Sequence, residues 1–267
     1  MRFHLILAVA FSMLVSSVLT SVSAAETTGG AGYDLYLLIG QSNMAGRGKV
    51  DEESKKTHPR VFALNKEGQW VPAVDPLHFD KPGAGVGPGL AFGKAMADAR
   101  PEAKIGLIPC AVGGSSINVW KPGAHDAATK THPYDDMLAR VKIALKDGAL
   151  KGIVWHQGES DRSGEGAKHY AANLTELVAR LRSEFNLADV PFVAGEIGLL
   201  NEKNKDVTVQ FNEILHGLSK TIPNYAVASA AGLKDKGDNL HFDSASAREM
   251  GKRCAETMGK LQKLSKK

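Results

Sequence analysis

Five short apolar runs punctuate the chain, at residues 35–39, 105–110, 152–156, 191–197 and 225–229, and each is continuous rather than alternating. Runs of that length and texture fit strands buried on both faces, as in a parallel sheet whose crossover helices cover it above and below. Segments with helical spacing separate and follow them, at 90–98, 137–145, 170–185, 207–218 and 245–264. The alternation predicts a three-layer α/β/α sandwich around a central parallel sheet of about five strands. Residues 47–86 break the rhythm with Pro59, Pro72, Pro76, Pro82, Gly83 and Gly85. A long rim loop is expected there, serving either as a passive cover for the sheet edge or as a substrate wall.

Ligands of open α/β sheets gather beyond the carboxyl ends of the strands. Four polar, glycine-rich clusters, at 40–48, 113–120, 157–161 and 238–243, follow the first, second, third and fifth apolar runs. All four are therefore expected on one rim.

The first 25 residues read differently from the rest. Arg2 and His4 precede an apolar stretch from Leu5 to Leu19, and Ser21 to Ala25 are small, the composition of an export signal cleaved after Ala24 or Ala25. Ser12, Ser16, Ser17 and Thr20 dilute the run, which is shorter than the roughly 20 apolar residues of a spanning helix. Residues 26–267 then form a single domain, predicted to be secreted or periplasmic, with no integral membrane segment after cleavage. Of the 267 residues, 43% are apolar, enough for a full core. The net charge of +4 comes from 33 basic and 29 acidic residues scattered without a stripe, so nucleic acid is not an expected partner. Cys110 and Cys254 are too few for a disulfide framework, and Cys110 ends an apolar run as a buried residue does rather than a nucleophile. No metal-ligand spacing or nucleotide loop is present, and no metal or organic cofactor is expected.

A serine becomes a nucleophile when its oxygen is exposed to substrate, a base can take its proton, and amide donors await the oxyanion. Ser42, in Gly40-Gln41-Ser42-Asn43-Met44, stands where the first strand ends. Near the carboxyl terminus, Asp238 precedes His241 by three residues, so one turn can carry a base and the carboxylate that orients it. Asp235 and Asp243 are nearby competitors for the acid's place. Gly113 and Gly114, before Ser115 and Ser116, let backbone N–H groups approach a ligand closely. The fourth cluster, Trp155 to Asp161, brings His156, Gln157 and Glu159 to a strand end, where Gln157 can donate through its amide and the others can support the site. Each cluster alone has an ordinary structural explanation as a cap, a turn or a hydrogen-bonded network. The α/β-hydrolase elbow G-x-S-x-G is excluded, because Met44 stands at its last glycine.

Taken together and in this order, Gly40 to Met44, Gly113 to Trp120, His156 to Glu159 and Asp238 to His241 resemble the SGNH hydrolase superfamily. More narrowly, they resemble carbohydrate esterase family 6 and the sialate O-acetylesterase-like group. The resemblance spans most of the chain beyond residue 25 and implies an SGNH/flavodoxin-like fold. It implies a triad of Ser42, Asp238 and His241, an oxyanion site formed by the Ser42 and Gly114 amides with the Gln157 side chain, and support from Gln41, Asn43, Gly113, His156 and Glu159. The wider superfamily carries Asn where this chain has Gln157, and Glu159 is the alternative triad acid. The implied activity is removal of acetyl groups from carbohydrate, acetylated xylan first and O-acetylated sialic acid second, with Trp70 and Trp120 offering aromatic faces for a sugar. A noncatalytic carbohydrate-binding protein on the same fold is the alternative of another class.

Overall fold

Residues 32–263 are described by the structure, a computed structural model, so the expected export signal lies outside the described residues. The five expected strands form as β1 (Tyr33–Gly40), β4 (Lys104–Pro109), β5 (Gly148–His156), β6 (Phe192–Gly195) and β7 (Tyr225–Ala228), all parallel. Two further strands, β2 (Val61–Leu64) and β3 (Trp70–Pro72), extend the sheet to seven in the order β3-β2-β4-β1-β5-β6-β7. They correct the expectation of an irregular loop over 47–86. With four and three residues, both are shorter than the five apolar runs; β2 pairs parallel with β4, and β3 returns antiparallel along β2. The five longer-range strands alone are ordered second, first, third, fourth, fifth, the flavodoxin-like winding.

Among the described residues, six α-helices accompany the strands: α1 (Ser42–Ala45), α2 (Pro88–Ala99), α3 (Pro133–Ala144), α4 (Gly164–Glu184), α5 (Lys205–Gly217) and α6 (Ser244–Leu261). Their starts are written locally. Proline occupies the first turn of α2 and of α3, where its missing N–H costs nothing, and Asp243 caps α6 by accepting from Ser246 N–H. Strand β1 shows why three layers form. Leu35, Leu37 and Ile39 enter the core shared with α3, α4 and α5, whereas Tyr36 and Leu38 enter the opposite core with α2 and α6. All five are fully buried, so a period of two becomes two apolar faces. The two cysteines belong to opposite layers: Cys110 packs against the first core and Cys254 lies within the second, and both are free thiols.

The register of β1 against β5 places Gly40 opposite His156. Gly40 sits at φ +133°, and a Cβ there would lie 2.1 Å from the His156 carbonyl oxygen. Only glycine permits this approach, and Gln41 N–H then donates to the same carbonyl at 2.9 Å. The residue before Ser42 is thus locked to the end of β5.

Candidate active site

Ser42 opens α1 directly beyond β1 and is nearly buried. Its Oγ lies 3.0 Å from His241 Nε2, and His241 Nδ1 lies 2.7 Å from Asp238 Oδ2. The loop bearing His241 is held by its own polar groups. Asp238 Oδ1 accepts from Leu240 N–H at 3.0 Å and His241 N–H at 2.8 Å, while Asn239 takes a left-handed φ of 56° to make the turn. Asp235 accepts from the N–H groups of Gly237 and Asn239, and Asp243 caps α6, so both nearby carboxylates are committed to backbone. Partial burial works to raise the Asp238 pKa, but hydrogen bonds from the His241 backbone and ring and from Leu240 N–H outweigh it and hold the carboxyl well below its ordinary range. Asp238 therefore faces the imidazole as an anion.

Gly113 and Gly114 follow β4 on the same rim. Gly114 has a φ of +82°, suited to glycine, and Gly113 N–H donates to Asp80 Oδ2 at 2.8 Å. The backbone N–H groups of Ser42 and Gly114 have no acceptor among the described residues.

Gln157 is placed differently from the expected oxyanion contact. Its Nε2 donates to the Ser115 carbonyl at 3.1 Å and to Asp161 Oδ2 at 2.5 Å, and its Oε1 accepts from Tyr170 O–H at 2.8 Å. A fully buried amide must satisfy both N–H groups, and Asp161, the last residue of the same cluster and not among the expected site residues, supplies the acceptor. Glu159, the alternative triad acid, lies on another branch of the network: its Oε1 accepts from Asn43 Nδ2 at 2.5 Å. Asn43 also donates to the Leu240 carbonyl at 3.1 Å and accepts from Phe242 N–H at 3.0 Å, joining α1 to the histidine loop. Gln41 Oε1 accepts from Gly158 N–H at 3.4 Å and Ser160 N–H at 3.2 Å. His156 is buried beneath this layer, 4.0 Å from Glu159 and edge-on to Phe242, and burial lowers its pKa.

Neither tryptophan offers a platform to a sugar. Trp120 is buried, donating to Ser115 Oγ at 3.0 Å and packing edge-on against Trp155. Trp70 stacks beside Tyr33 and donates to Asp147, at the amino end of β1, opposite the rim that carries Ser42. The rim loop contributes groups that sequence reasoning passed over. Arg47 and Asp80 form an ion pair at 2.7 Å with side chains 11% and 1% exposed, and Asp80 is also the acceptor for Gly113. A charged pair 33 residues apart leaves no signature in spacing.

A family model described as carbohydrate esterase, sialic acid-specific acetylesterase matches residues 32–260. A probable carbohydrate esterase of Arabidopsis thaliana is 31% identical over 243 residues, covering 83% of this chain and 88% of that protein. An X-ray structure of an Arabidopsis thaliana protein superposes with a TM-score of 0.74 at 30% identity, over 88% of this chain and all of that one (100%). The fold recurs at lower identity in NanS, with TM-score 0.68 and 18% identity over 87% of this chain and 98% of NanS. It recurs also in a carbohydrate acetylesterase from Xanthomonas citri, with TM-score 0.64 and 19% identity over 85% of this chain and 56% of that one. The chain belongs to the carbohydrate esterase, sialic acid-specific acetylesterase family and is a carboxylic ester hydrolase.

Proposed function

We propose that this carbohydrate acetylesterase works through an acetyl-serine intermediate on Ser42 and acts on O-acetylated sugar after export. The observation that carries the mechanism is the continuous contact from Ser42 Oγ to His241 Nε2 and from His241 Nδ1 to Asp238. Ser42 Oγ attacks the acetyl carbonyl carbon and its proton passes to His241 Nε2. The tetrahedral oxyanion is received by the backbone N–H groups of Ser42 and Gly114, whose acceptor places are open among the described residues. Collapse breaks the bond to the sugar oxygen, which leaves with the proton held by His241. Water then gives a proton to His241 and adds to the acetyl carbon; collapse returns the proton to Ser42 and releases acetate. Asp238 holds the ring in the tautomer that presents Nε2 as acceptor.

Acetylated xylan is the first substrate of this proposal and O-acetylated sialic acid the second; the family description supports the sialic acid reading. Acetate release is measured on p-nitrophenyl acetate, acetylated xylan and O-acetylated sialic acid, with folded Ser42→Ala and His241→Ala variants beside the parent. Activity abolished in both supports the mechanism, and activity surviving in either overturns it. The ratio of kcat/KM on the two sugars decides between them. Export through residues 1–25 is tested by amino-terminal sequencing of protein recovered outside the cytoplasm; a retained Met1 overturns it.

A further inference from the structure

The two amides assigned to the oxyanion belong to loops beyond different strands, Ser42 after β1 and Gly114 after β4. Their separation must be fixed by something other than their own segments. Asp161, at 3% exposure, is the junction. Its Oδ1 accepts from Ser116 Oγ at 2.6 Å, and its Oδ2 accepts from Ile117 N–H at 2.8 Å and Gln157 Nε2 at 2.5 Å. Gln157 carries the connection to the Ser115 carbonyl, and Ser160 Oγ donates to the Gly114 carbonyl at 3.2 Å. On the other side, Gln41 ties the backbone of Gly158 and Ser160 to the residue preceding Ser42. The loop beyond β5 therefore grips both the nucleophile's turn and residues 114–117.

We propose that Asp161 is a positioning residue that fixes the Gly114 N–H relative to the Ser42 N–H, with Gln157 as its intermediary rather than as an oxyanion donor. This rests on the acyl-serine reading above. A donor displaced by about 1 Å from a developing charge can cost roughly 10²-fold in rate, so a residue that never touches substrate can still govern turnover. The carboxylate's geometry, not its charge, is what the loop uses. An asparagine at 161 can keep both backbone and Gln157 contacts through Oδ1, while the Ser116 hydroxyl rotates to accept from Nδ2.

The experiment compares Asp161→Ala and Asp161→Asn with the parent, with kcat referred to sites titrated by acetylation so that only folded enzyme is counted. Asp161→Ala is expected to lower kcat about 10–10²-fold with KM held within about twofold. Inhibition by methylboronic acid, whose serine adduct places an oxygen where the oxyanion forms, should weaken in the same proportion. Asp161→Asn is expected to restore kcat to within about threefold of the parent. Unchanged kcat in Asp161→Ala, a loss confined to KM, or an Asn variant as impaired as the Ala variant each overturns the proposal. If Asp161→Ala does not fold, Ser116→Ala decides: kcat and methylboronic acid affinity should fall together by about 2–10-fold, and no change overturns the inference. The acyl-serine reading fails separately, if Ser42→Ala still releases acetate.

Discussion

Asn43 Nδ2 donates to Glu159 Oε1 at 2.5 Å, joining the residue after the nucleophile to a carboxylate 116 positions away. The same side chain holds Leu240 O and Phe242 N–H, the backbone on either side of His241. Asn43 is thus the peg between the serine turn and the histidine loop. Asn43→Ala strands the Glu159 carboxylate and Phe242 N–H in a buried layer. A loss of about 2–3 kcal/mol is expected in urea denaturation, with reduced kcat in the molecules that remain folded. Full stability in Asn43→Ala would show that the peg carries no load.

The two candidate acids separate by function. Asp238→Asn exchanges the acceptor of the imidazole N–H for a group that can present a donor there, favouring the wrong tautomer. A fall in kcat of about 10²–10⁴-fold is expected, the upper figure being that of the matching change in a protease triad. Glu159→Gln keeps a carbonyl oxygen for Asn43 and should cost less than about tenfold. Steady-state rates of the two variants on one ester make the comparison, and an inverted order would transfer the acid's role to Glu159.

Asp80 makes a third case, because it ties the rim loop to the glycine turn. Asp80→Ala removes the acceptor for Arg47, at 11% side-chain exposure, and for Gly113 N–H at once. Breaking one partner of such a pair leaves a nearly buried cation uncompensated, a loss of about 3–5 kcal/mol. Asp80→Asn, which still accepts from Gly113, should lose less. Equal denaturation midpoints for the two variants would remove the Gly113 contact from the account.

The parts of this molecule legible from sequence are those dictated by local pattern. The β1 run from Leu35 to Ile39 announces a strand buried on both faces, and the Asp238–His241 spacing announces a turn that can hold an acid beside a base. Residues 61–64 and 70–72 were too short to be legible as strands; the pairing of 61–64 with β4, and of 70–72 with 61–64, makes them so. Gln157 was legible as a site residue but not in its orientation. Its amide is claimed by Asp161 in its own loop, by Tyr170 on α4 and by Ser115 beyond β4, contacts that form only once the helix packs on the sheet and β4 lies near β5. Trp70 and Trp120 show the same limit: an aromatic face says nothing of which end of the sheet it packs against.

Asp75 provides a test of stability against pH away from the serine. Its side chain is buried, and neither carboxyl oxygen has a hydrogen-bond partner. Burial raises its pKa from the ordinary 3.8 to about 7, against the opposing pull of the cations Arg248 and Lys94. The folded protein therefore holds this proton more tightly than the unfolded chain. Its contribution to stability is fully present below about pH 4 and is lost as pH rises through about 7, because the unfolded state binds fewer protons across that window. Asp75→Asn has the same shape and does not titrate. The difference in urea midpoint between variant and parent should be steady below about pH 4, grow in the variant's favour between about pH 4 and 7, and then level off. Any fixed cost of the buried amide cancels when only the change with pH is followed. A difference that stays flat from about pH 4 to 8.5 would mean that the Asp75 carboxylate is accommodated in the fold without its proton, and that the cations beside it outweigh its burial.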